Sequence, residues 1–321
     1  MASHSLDVST VPSAAPSSAP IPVTDLPAGL AARPLTWADL PDVYALMAAH
    51  EERVLGEQMI DLEDLEGDWQ RPSFEPERDS VAVLDGEQMV AYGEVYRTRR
   101  AEVYVHPEAW GRGIGTALAQ WTCRLAREHG GTLVGQTVSD RDEGAVALFR
   151  RLGYEPLWTS WILALPPEVA LPSSPLPAGY AIRELEPGRD EQAAYQVVED
   201  AFNEWPDREP SGYDDWAAAV LGRPGFAPWH LLLVVHGDEV VGACHLVMSG
   251  DTGWVNQIAV AREHRGRGLA QALLATAFAA ARSHGAPRAE LSTDSRTGAL
   301  GLYEHLGMRV ASSFTHWARQ P

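Results

Sequence analysis

A basic, glycine-rich turn late in the chain has the residue types and spacing to bind phosphate. Its residues are Arg265, Gly266, Arg267, Gly268, Leu269 and Ala270. A strand-like run precedes the turn and an alanine- and leucine-rich run follows, so the turn would open a helix. Unpaired N–H groups at the positive end of a helix dipole can hold phosphate oxygens, and glycine lets such a ligand approach. We expect a phosphate or pyrophosphate site here, although similar turns also serve only to connect a strand to a helix.

A second copy of this turn occurs earlier, in the stretch formed by Trp110, Gly111, Arg112, Gly113, Ile114 and Gly115. Gly113 and Gly268 are 155 positions apart. Phe149 and Tyr303, each four residues before another glycine, are 154 positions apart. Such a long and constant period indicates two duplicated domains, because solenoid repeats are about 20 to 50 residues long.

The composition divides the chain at two places. Residues 1–29 are rich in Ser, Pro and Ala, and we expect them to form a disordered tail. Residues 166–179 shift to Pro, Ser and Leu without periodicity, which is typical of a short, fairly stiff linker. The sequence therefore predicts an N-terminal domain at residues 30–165 and a C-terminal domain at residues 180–321.

Both halves show the same order of expected elements: a strand, two helices, a hairpin, a strand, the turn with its helix, a strand, a helix and two closing strands. We expect an α/β (α+β) fold in which each domain is a mixed, mostly antiparallel sheet flanked by helices. The closing strands are predicted near Tyr154 and at 158–165 in the first half. In the second half they are predicted at 308–311 and 314–318.

The composition also bounds the function. With 321 residues and a 45% hydrophobic fraction, the chain can bury two cores. The formal net charge of −19 argues against a nucleic-acid partner, because phosphate backbones require a basic face. The negative charge favours a cationic or amine-bearing ligand. Alternatively, it serves only to keep the chain soluble. No apolar run reaches the roughly 20 residues of a membrane helix and no secretion signal is evident, so we expect a cytoplasmic protein with no membrane partner.

Several other kinds of site lack their motifs. Cys123 and Cys244 are the only cysteines, which gives neither a disulfide framework nor a zinc pattern. No HExxH sequence points to a metal, and neither glycine-rich turn carries the Gly-Lys-Ser/Thr of a nucleotide hydrolase. Dinucleotide binding is disfavoured because the turn comes after a hairpin rather than after the first strand of a parallel unit. We expect two reduced thiols and no metal.

The order of elements resembles the GNAT (Gcn5-related N-acetyltransferase) fold over both halves of the chain. The family signature is Arg or Gln, two residues, Gly, one residue, then Gly or Ala, and Arg265, Gly268 and Ala270 match it in full. Its second mark is a tyrosine shortly before a Leu-Gly turn, matched by Tyr303 ahead of residues 306–307. The chain is therefore identified as a tandem member of this family.

The resemblance implies acetyl-CoA as the cofactor. It implies that residues 265–270, together with Gln271, grip the coenzyme pyrophosphate. The preceding strand, with Ile258, Ala259 and Val260, is expected to pair with the pantetheine arm and to polarise the thioester carbonyl through an N–H group. An amine would then attack the thioester directly.

Tyr303 is, by the same resemblance, the expected acid for the leaving thiolate. A phenol with a reference pKa of about 10 stays protonated at neutral pH. Its alternative role is an aromatic contact between helix and sheet. The general base is open, because Trp254, Asn256 and Gln257 occupy the strand on which some members carry a glutamate. A water molecule or a carboxylate elsewhere would then take the proton.

The acceptor pocket is expected to involve the acidic loop at residues 203–210. Glu204 and Asp207 are the candidates for attracting an ammonium group, and a solvated acidic loop is the alternative. Arg296 stands where many relatives have an asparagine. Contact with a coenzyme phosphate, contact with the acceptor and helix capping all stay open for this arginine.

The first half departs from the family pattern at two positions. Trp110 replaces the Arg or Gln of the signature, and Phe149, which cannot donate a proton, stands in the place of the tyrosine. We therefore expect a catalytic C-terminal domain and a degenerate N-terminal domain that supports the fold, holds a cofactor or shapes the acceptor site. The residues still expected to contact coenzyme A in this half are Val103, Tyr104, Val105, Arg112, Gly113, Ile114 and Gly115.

The expected reaction is acetyl transfer to a primary amine of a small molecule, for which the acidic balance favours a cation. The tandem architecture also resembles that of the mycothiol synthase family, whose C-terminal half acetylates the amine of a cysteinyl pseudo-disaccharide. A third possibility is an acyl-CoA sensor that kept the fold and lost the reaction. An intact Tyr303 and a complete second motif weigh against the sensor.

Overall fold

The structure, a computed structural model, describes residues 22–169, 171, 175–205, 208 and 210–321. Most of the expected tail, part of the expected linker and the candidate acceptor residue Asp207 therefore lie outside the described residues. Residues 22–29 of the expected tail are described. Their apolar side chains Val23 and Leu26 pack against the core of the N-terminal half.

The helices and strands of the described chain alternate in two similar series. The strands are β1 (Leu30–Arg33), β2 (Ser80–Asp85), β3 (Gln88–Tyr96), β4 (Arg100–Val105), β5 (Val134–Ser139), β6 (Glu155–Leu165), β7 (Tyr180–Glu184), β8 (Leu231–His236), β9 (Glu239–Ser249), β10 (Thr252–Val260), β11 (Arg288–Asp294) and β12 (Arg309–Arg319). The α-helices are α1 (Leu40–Leu55), α2 (Leu62–Trp69), α3 (Pro76–Asp79), α4 (Ile114–Glu128), α5 (Glu143–Arg151), α6 (Glu191–Phe202), α7 (Tyr213–Val220), α8 (Leu269–Ser283) and α9 (Leu300–His305).

Local sequence explains the helices that follow the glycine-rich turns. In α4, Ile114, Leu118, Trp121 and Leu125 recur at helical spacing and are each at most 1% exposed. In α8, Leu273, Ala277 and Ala281 repeat this arrangement and are fully buried. Each helix thus packs one apolar face against the sheet of its own half.

All twelve strands form one continuous sheet in the order β1-β2-β3-β4-β5-β12-β6-β11-β10-β9-β8-β7. Within the described sheet, β4 with β5 and β10 with β11 are the parallel neighbours, and the other pairs are antiparallel. The predicted fold class, mixed and mostly antiparallel sheet flanked by helices, is confirmed. The two expected sheets, however, are joined edge to edge into one.

The closing strands differ from the prediction. Each half ends in a single long strand, β6 or β12, where two short strands were expected. Register shifts in the β6–β12 ladder, between Val310 and Ser312 and between His316 and Trp317, bend a continuous strand where the sequence suggested a break. These two strands also cross over between the halves, since β6 pairs with β11 and β12 pairs with β5.

Hydrophobic cores cover both faces of the sheet in each half. In the C-terminal half, α8 and α9 lie over one face, in the cluster that contains Phe278 and Tyr303, and α6 and α7 lie over the other face, with Trp216. In the N-terminal half, α4 and α5 cover one face, with Trp121 and Phe149, and α1 and α2 cover the other, with Trp69. No helix in the described ranges is long and apolar enough to cross a membrane.

Candidate active site

The turn at residues 265–270 leaves donors free at the start of α8. Gly266 and Gly268 have φ angles of 74° and 77°, and Gly268 is the N-cap of α8. L-residues with side chains rarely adopt this left-handed conformation, so glycine makes the turn accessible. No acceptor is recorded in the described chain for the backbone N–H groups of residues 266–270. N–H groups at the positive end of a helix dipole can hold the oxygens of a phosphate.

Both arginine side chains of this turn bond within the protein. Arg265 donates from Nε to the carbonyl of Val260 over 2.8 Å and from both Nη atoms to the carboxylate of Glu204 over 2.8 Å each. Arg267 donates to the carbonyl of Glu263 over 2.5 Å. The Arg265 guanidinium lowers the pKa of Glu204, so this carboxylate is ionised at neutral pH. Glu204, considered above for the acceptor pocket, thus lies against the coenzyme turn, and its role toward an acceptor stays a prediction.

The N-terminal turn has the same backbone shape. Gly111 and Gly113 have φ angles of 76° and 87°. Trp110 donates from its indole to the carbonyl of Val105 over 2.8 Å, as Arg265 does to Val260. Tryptophan therefore replaces the signature arginine in one hydrogen bond but cannot hold a carboxylate as well.

Two contacts distinguish the surroundings of the N-terminal turn. Arg112 forms an ion pair with Asp85 over 2.7 Å. Pro27, in the segment before β1, lies beside Gly113, where a Cβ atom would meet its Cγ at 3.6 Å. Whether Arg112, Gly113, Ile114 and Gly115 hold a coenzyme stays a prediction.

Strands β10 and β11 pair at one end and separate toward the other. They pair only from Thr252 and Arg288 to Val255 and Leu291. A bulge between Val255 and Gln257 then redirects β10. Residues 258–260 stay paired with β9, so the edge that faces β11 has no partner strand in the described sheet. Backbone groups on this open edge can bond an extended ligand.

In the N-terminal half the corresponding strands separate after fewer paired residues, and there is no bulge. Strands β4 and β5 pair only at Arg100 and Gly135, whereas β3 and β4 stay in unbroken register. The expected coenzyme contacts Val103, Tyr104 and Val105 lie on this uninterrupted part of β4. The two halves thus differ in backbone shape at the position expected for the thioester.

Tyr303 lies on α9 and is 9% exposed. Burial, and secondly the thiol of Cys244, raise the pKa of Tyr303 to about 12. Tyr303 and Cys244 belong to the same core cluster, and Cys244 is the strand partner of Ile258 on the open part of β10. In the N-terminal half, the corresponding Phe149 packs on Tyr154, with ring centroids 4.8 Å apart.

The other face of β9 and β10, which α6 and α7 cover, carries no carboxylate at the comparable level. His245 pairs with Gln257, and Gln257 accepts a hydrogen bond from the indole of Trp216 over 3.1 Å. Burial lowers the pKa of His245 to about 3, so its ring is neutral near pH 7 and a weak base. The described part of this face thus offers no ready protein base for an amine.

A stacked column beside this face was missed by sequence reasoning. The Arg296 guanidinium lies 3.8 Å from the ring centroid of Trp158 and 5.3 Å from that of Trp205. Arg296 also donates to Asp294, and His316 stacks on Trp158 at 3.8 Å. These residues come from four separate parts of the chain, so no local sequence motif predicts the column. It joins the loop of Glu204 to the exchanged strands β6 and β12.

The glycine turns, the split strands and the buried tyrosine define the class of protein. The family model described as the Acetyltransferase (GNAT) family matches residues 38–154 and 192–308. The chain belongs to this family and is a tandem GNAT acetyltransferase that uses acetyl-CoA. Both matches end just before the strands that the two halves exchange.

Curated relatives match this chain over most of its length. A mycothiol acetyltransferase of Sanguibacter keddieii is 30% identical over 310 residues, covering 89% of this chain and 95% of the relative. One of Thermobispora bispora is 30% identical over 251 residues, covering 74% and 80%. These similarities extend across both halves of the chain.

Solved structures show the same architecture. A GCN5-related N-acetyltransferase from Sphaerobacter thermophilus is 31% identical, covers 92% of this chain and 96% of its own, and superposes with a TM-score of 0.72. A tandem GNAT protein from the clavulanic acid biosynthesis pathway is 19% identical, with 91% and 98% coverage and a TM-score of 0.70. The latter likeness establishes the fold alone.

Proposed function

We propose that the C-terminal half transfers the acetyl group of acetyl-CoA to a primary amine of a small molecule. The observation that supports this most is the buried Tyr303 phenol near Cys244, the strand partner of Ile258. Phe149 has no hydroxyl and lies in an aromatic cluster. Among the described residues, the C-terminal half alone thus combines an open turn, a bulged strand and a proton donor.

Acetyl-CoA supplies an activated thioester. The N–H groups of residues 266–270 would hold the pyrophosphate, and the open edge at residues 258–260 would orient the acyl end and polarise its carbonyl. With a pKa of about 12, Tyr303 keeps its proton at neutral pH and can donate it to the departing sulfur. Because Asn256 and Gln257 are not bases, we assign removal of the ammonium proton to water.

Replacing Tyr303 by Phe should lower kcat by about 100-fold or more, the range of one general acid, while the KM for acetyl-CoA changes little. Thiol release from acetyl-CoA in the presence of amines measures this. Tyr154→Phe makes the same chemical change in the N-terminal half and should leave kcat unaltered. If activity survives Tyr303→Phe and Arg265→Ala but disappears with Gly113→Trp, the catalytic half is the N-terminal one.

The identity of the acceptor amine is less well supported than that of the coenzyme. The name of the curated relatives points to the cysteinyl amine of a pseudo-disaccharide, and the net charge of −19 favours a cation. We propose the cysteinyl amine as the first acceptor to test, beside a panel of small cationic amines. Tight coenzyme binding with no amine-stimulated thiol release from any of them would indicate an acyl-CoA sensor instead.

We also propose that the chain works in the cytoplasm. Acetyl-CoA is available there, and both Cys123 and Cys244 are buried free thiols, a state that a reducing compartment preserves. Cell fractionation with an antibody to the protein would test this, and recovery outside the cytoplasm would contradict it.

A further inference from the structure

The turn between β3 and β4 of the N-terminal half reaches across to the C-terminal half. Its first residue, Arg97, donates from Nη1 to the carbonyl of Pro210 over 2.9 Å. From Nη2, Arg97 donates to the hydroxyl of Ser211 over 2.7 Å and to the carboxylate of Asp215 over 2.9 Å. Pro210 and Ser211 precede α7, and Asp215 lies in its first turn. One guanidinium of the N-terminal half thus bonds three groups of the C-terminal half.

The backbone of this turn is strained at the same arginine. Arg97 and Thr98 have φ angles of 49° and 61°, although neither is glycine. Residues with side chains disfavour this left-handed conformation and keep it where the surrounding contacts hold them in place. The corresponding turn of the C-terminal half, between β9 and β10, begins with Gly250, whose φ angle is 53°. Glycine would relieve the strain at position 97 as well, but it could not make the contacts of the arginine.

Asp215, the charged partner of Arg97, is held by a second residue of the N-terminal half. Asp215 is 8% exposed and accepts hydrogen bonds from the backbone N–H and the hydroxyl of Ser73, over 3.1 Å and 2.6 Å. Burial opposes the ionisation of this carboxyl, but the hydrogen bonds from Ser73 and Arg97 outweigh burial and hold the pKa of Asp215 below its ordinary value. The ion pair between Arg97 and Asp215 is therefore present at neutral pH.

Ser211 connects this contact to the segment that follows α6. Its backbone N–H donates to Glu199 over 2.6 Å, and its carbonyl accepts from the hydroxyl of Tyr195 over 2.6 Å. Glu199 is 5% exposed and also accepts hydrogen bonds from Asn203 and from both Nη atoms of Arg208. A single buried carboxylate thus joins the start of this segment to its end.

The same segment carries Glu204, which bonds the coenzyme turn. Its two carboxylate oxygens accept from the two Nη atoms of Arg265 over 2.8 Å each. This ion pair is exposed, so most of what it gains is offset by the entropy of ordering two long side chains. A segment that is already held in place lowers this entropic cost. Loss of Arg97 should therefore weaken the pair between Glu204 and Arg265 without removing either residue.

We infer that Arg97 is a positioning residue for the acetyl-CoA site of the C-terminal half. It holds Ser211, and with it the described part of the segment between α6 and α7, so that Glu204 meets Arg265 at the glycine-rich turn. The inference rests on the proposed function, because it concerns the same coenzyme site. It gives the N-terminal half a part in coenzyme binding that requires no ligand on its own turn.

Isothermal titration calorimetry of the full chain with coenzyme A tests this role. Arg97→Ala should weaken coenzyme A binding by about threefold, which is within the range of an exposed ion pair. Arg78→Ala is the matched control, because Arg78 also pairs with a buried aspartate, Asp79, but bonds only within the N-terminal half. This control should bind coenzyme A as the wild type does. Thermal unfolding of both variants shows whether they are folded at the temperature of the titration.

A double-mutant cycle separates positioning from a general loss of stability. Glu204→Gln breaks the ion pair itself, so adding Arg97→Ala to Glu204→Gln should weaken coenzyme A binding no further. Unchanged coenzyme A affinity in folded Arg97→Ala would overturn the inference. An equal loss of affinity in the wild-type and Glu204→Gln backgrounds would do the same. If Gly113→Trp abolishes coenzyme A binding and Gly268→Trp does not, the proposed function fails, and this inference fails with it.

Discussion

The first residue of each glycine-rich turn donates a side-chain hydrogen bond to the end of the preceding strand. Arg265 and Trp110 donate the same hydrogen bond, to Val260 and to Val105, at the same 2.8 Å. The loss of arginine in the N-terminal half therefore does not destroy the turn. Tryptophan cannot replace the second contact of Arg265, in which both Nη atoms donate to the carboxylate of Glu204.

Substitutions at Arg265 separate these two contacts. Arg265→Ala loses both and should raise the KM for acetyl-CoA by about tenfold, the effect of losing hydrogen bonds made by a charged group. Arg265→Trp should keep the bond to Val260, as Trp110 does with Val105, and should raise KM less. Glu204→Gln leaves the Val260 bond intact and isolates the ion pair, which is exposed and worth at most about 1 kcal/mol.

Steady-state kinetics over a range of acetyl-CoA concentrations measures these effects. An Arg265→Trp enzyme as impaired as Arg265→Ala would show that the Val260 bond is unimportant. The sequence could identify Arg265 from its spacing to Gly268. It could not pair Arg265 with Glu204, because the two residues are 61 positions apart and only the fold brings them together.

At the scale of elements, local patterns predicted most of the fold. The helices predicted after the two glycine-rich turns are present as α4 and α8, which begin directly after Gly113 and Gly268. The closing strands were divided wrongly because a bulge interrupts the alternation of apolar and polar residues without ending the strand. The exchange of β6 and β12 had no local signal, since strand pairing depends on contacts more than 100 residues apart.

The exchanged strands should make the two halves depend on each other. A cut in the 166–179 segment leaves β6 without β11 and β12, and β12 without β5 and β6, so each fragment exposes unpaired strand edges. Residues 1–170 and 171–321, each produced alone, should aggregate or lack a cooperative thermal transition. Produced together, they should form a stable heterodimer.

Circular dichroism and size-exclusion chromatography of the fragments would decide this. A matched cut after Gly86, in the β2–β3 hairpin turn, separates β2 from β3 but keeps β5, β6, β11 and β12 on one fragment, and it provides the control for chain cleavage itself. If residues 171–321 fold alone with a cooperative transition, the exchanged pairing is not essential to the C-terminal half.

Across the whole molecule, the two duplicated halves now carry different functional residues. The C-terminal half keeps the proton-donating tyrosine, with its raised pKa, and a bulged strand. The N-terminal half keeps the turn but carries Phe149, and it has Glu94 opposite Glu102 on neighbouring strands. The 155-residue repeat revealed the duplication from sequence alone. The acidic pair was not singled out, because two glutamates on neighbouring strands become a cluster only when the strands are in register.

We propose that the C-terminal turn binds acetyl-CoA with the reacting sulfur beside Tyr303. A crystal structure of the full chain with acetyl-CoA would test this. We expect the pyrophosphate on the N–H groups of residues 266–270, the pantetheine arm along residues 258–260, and the sulfur within hydrogen-bond reach of the Tyr303 hydroxyl. Coenzyme bound only at residues 111–115, with the C-terminal turn empty, would contradict it.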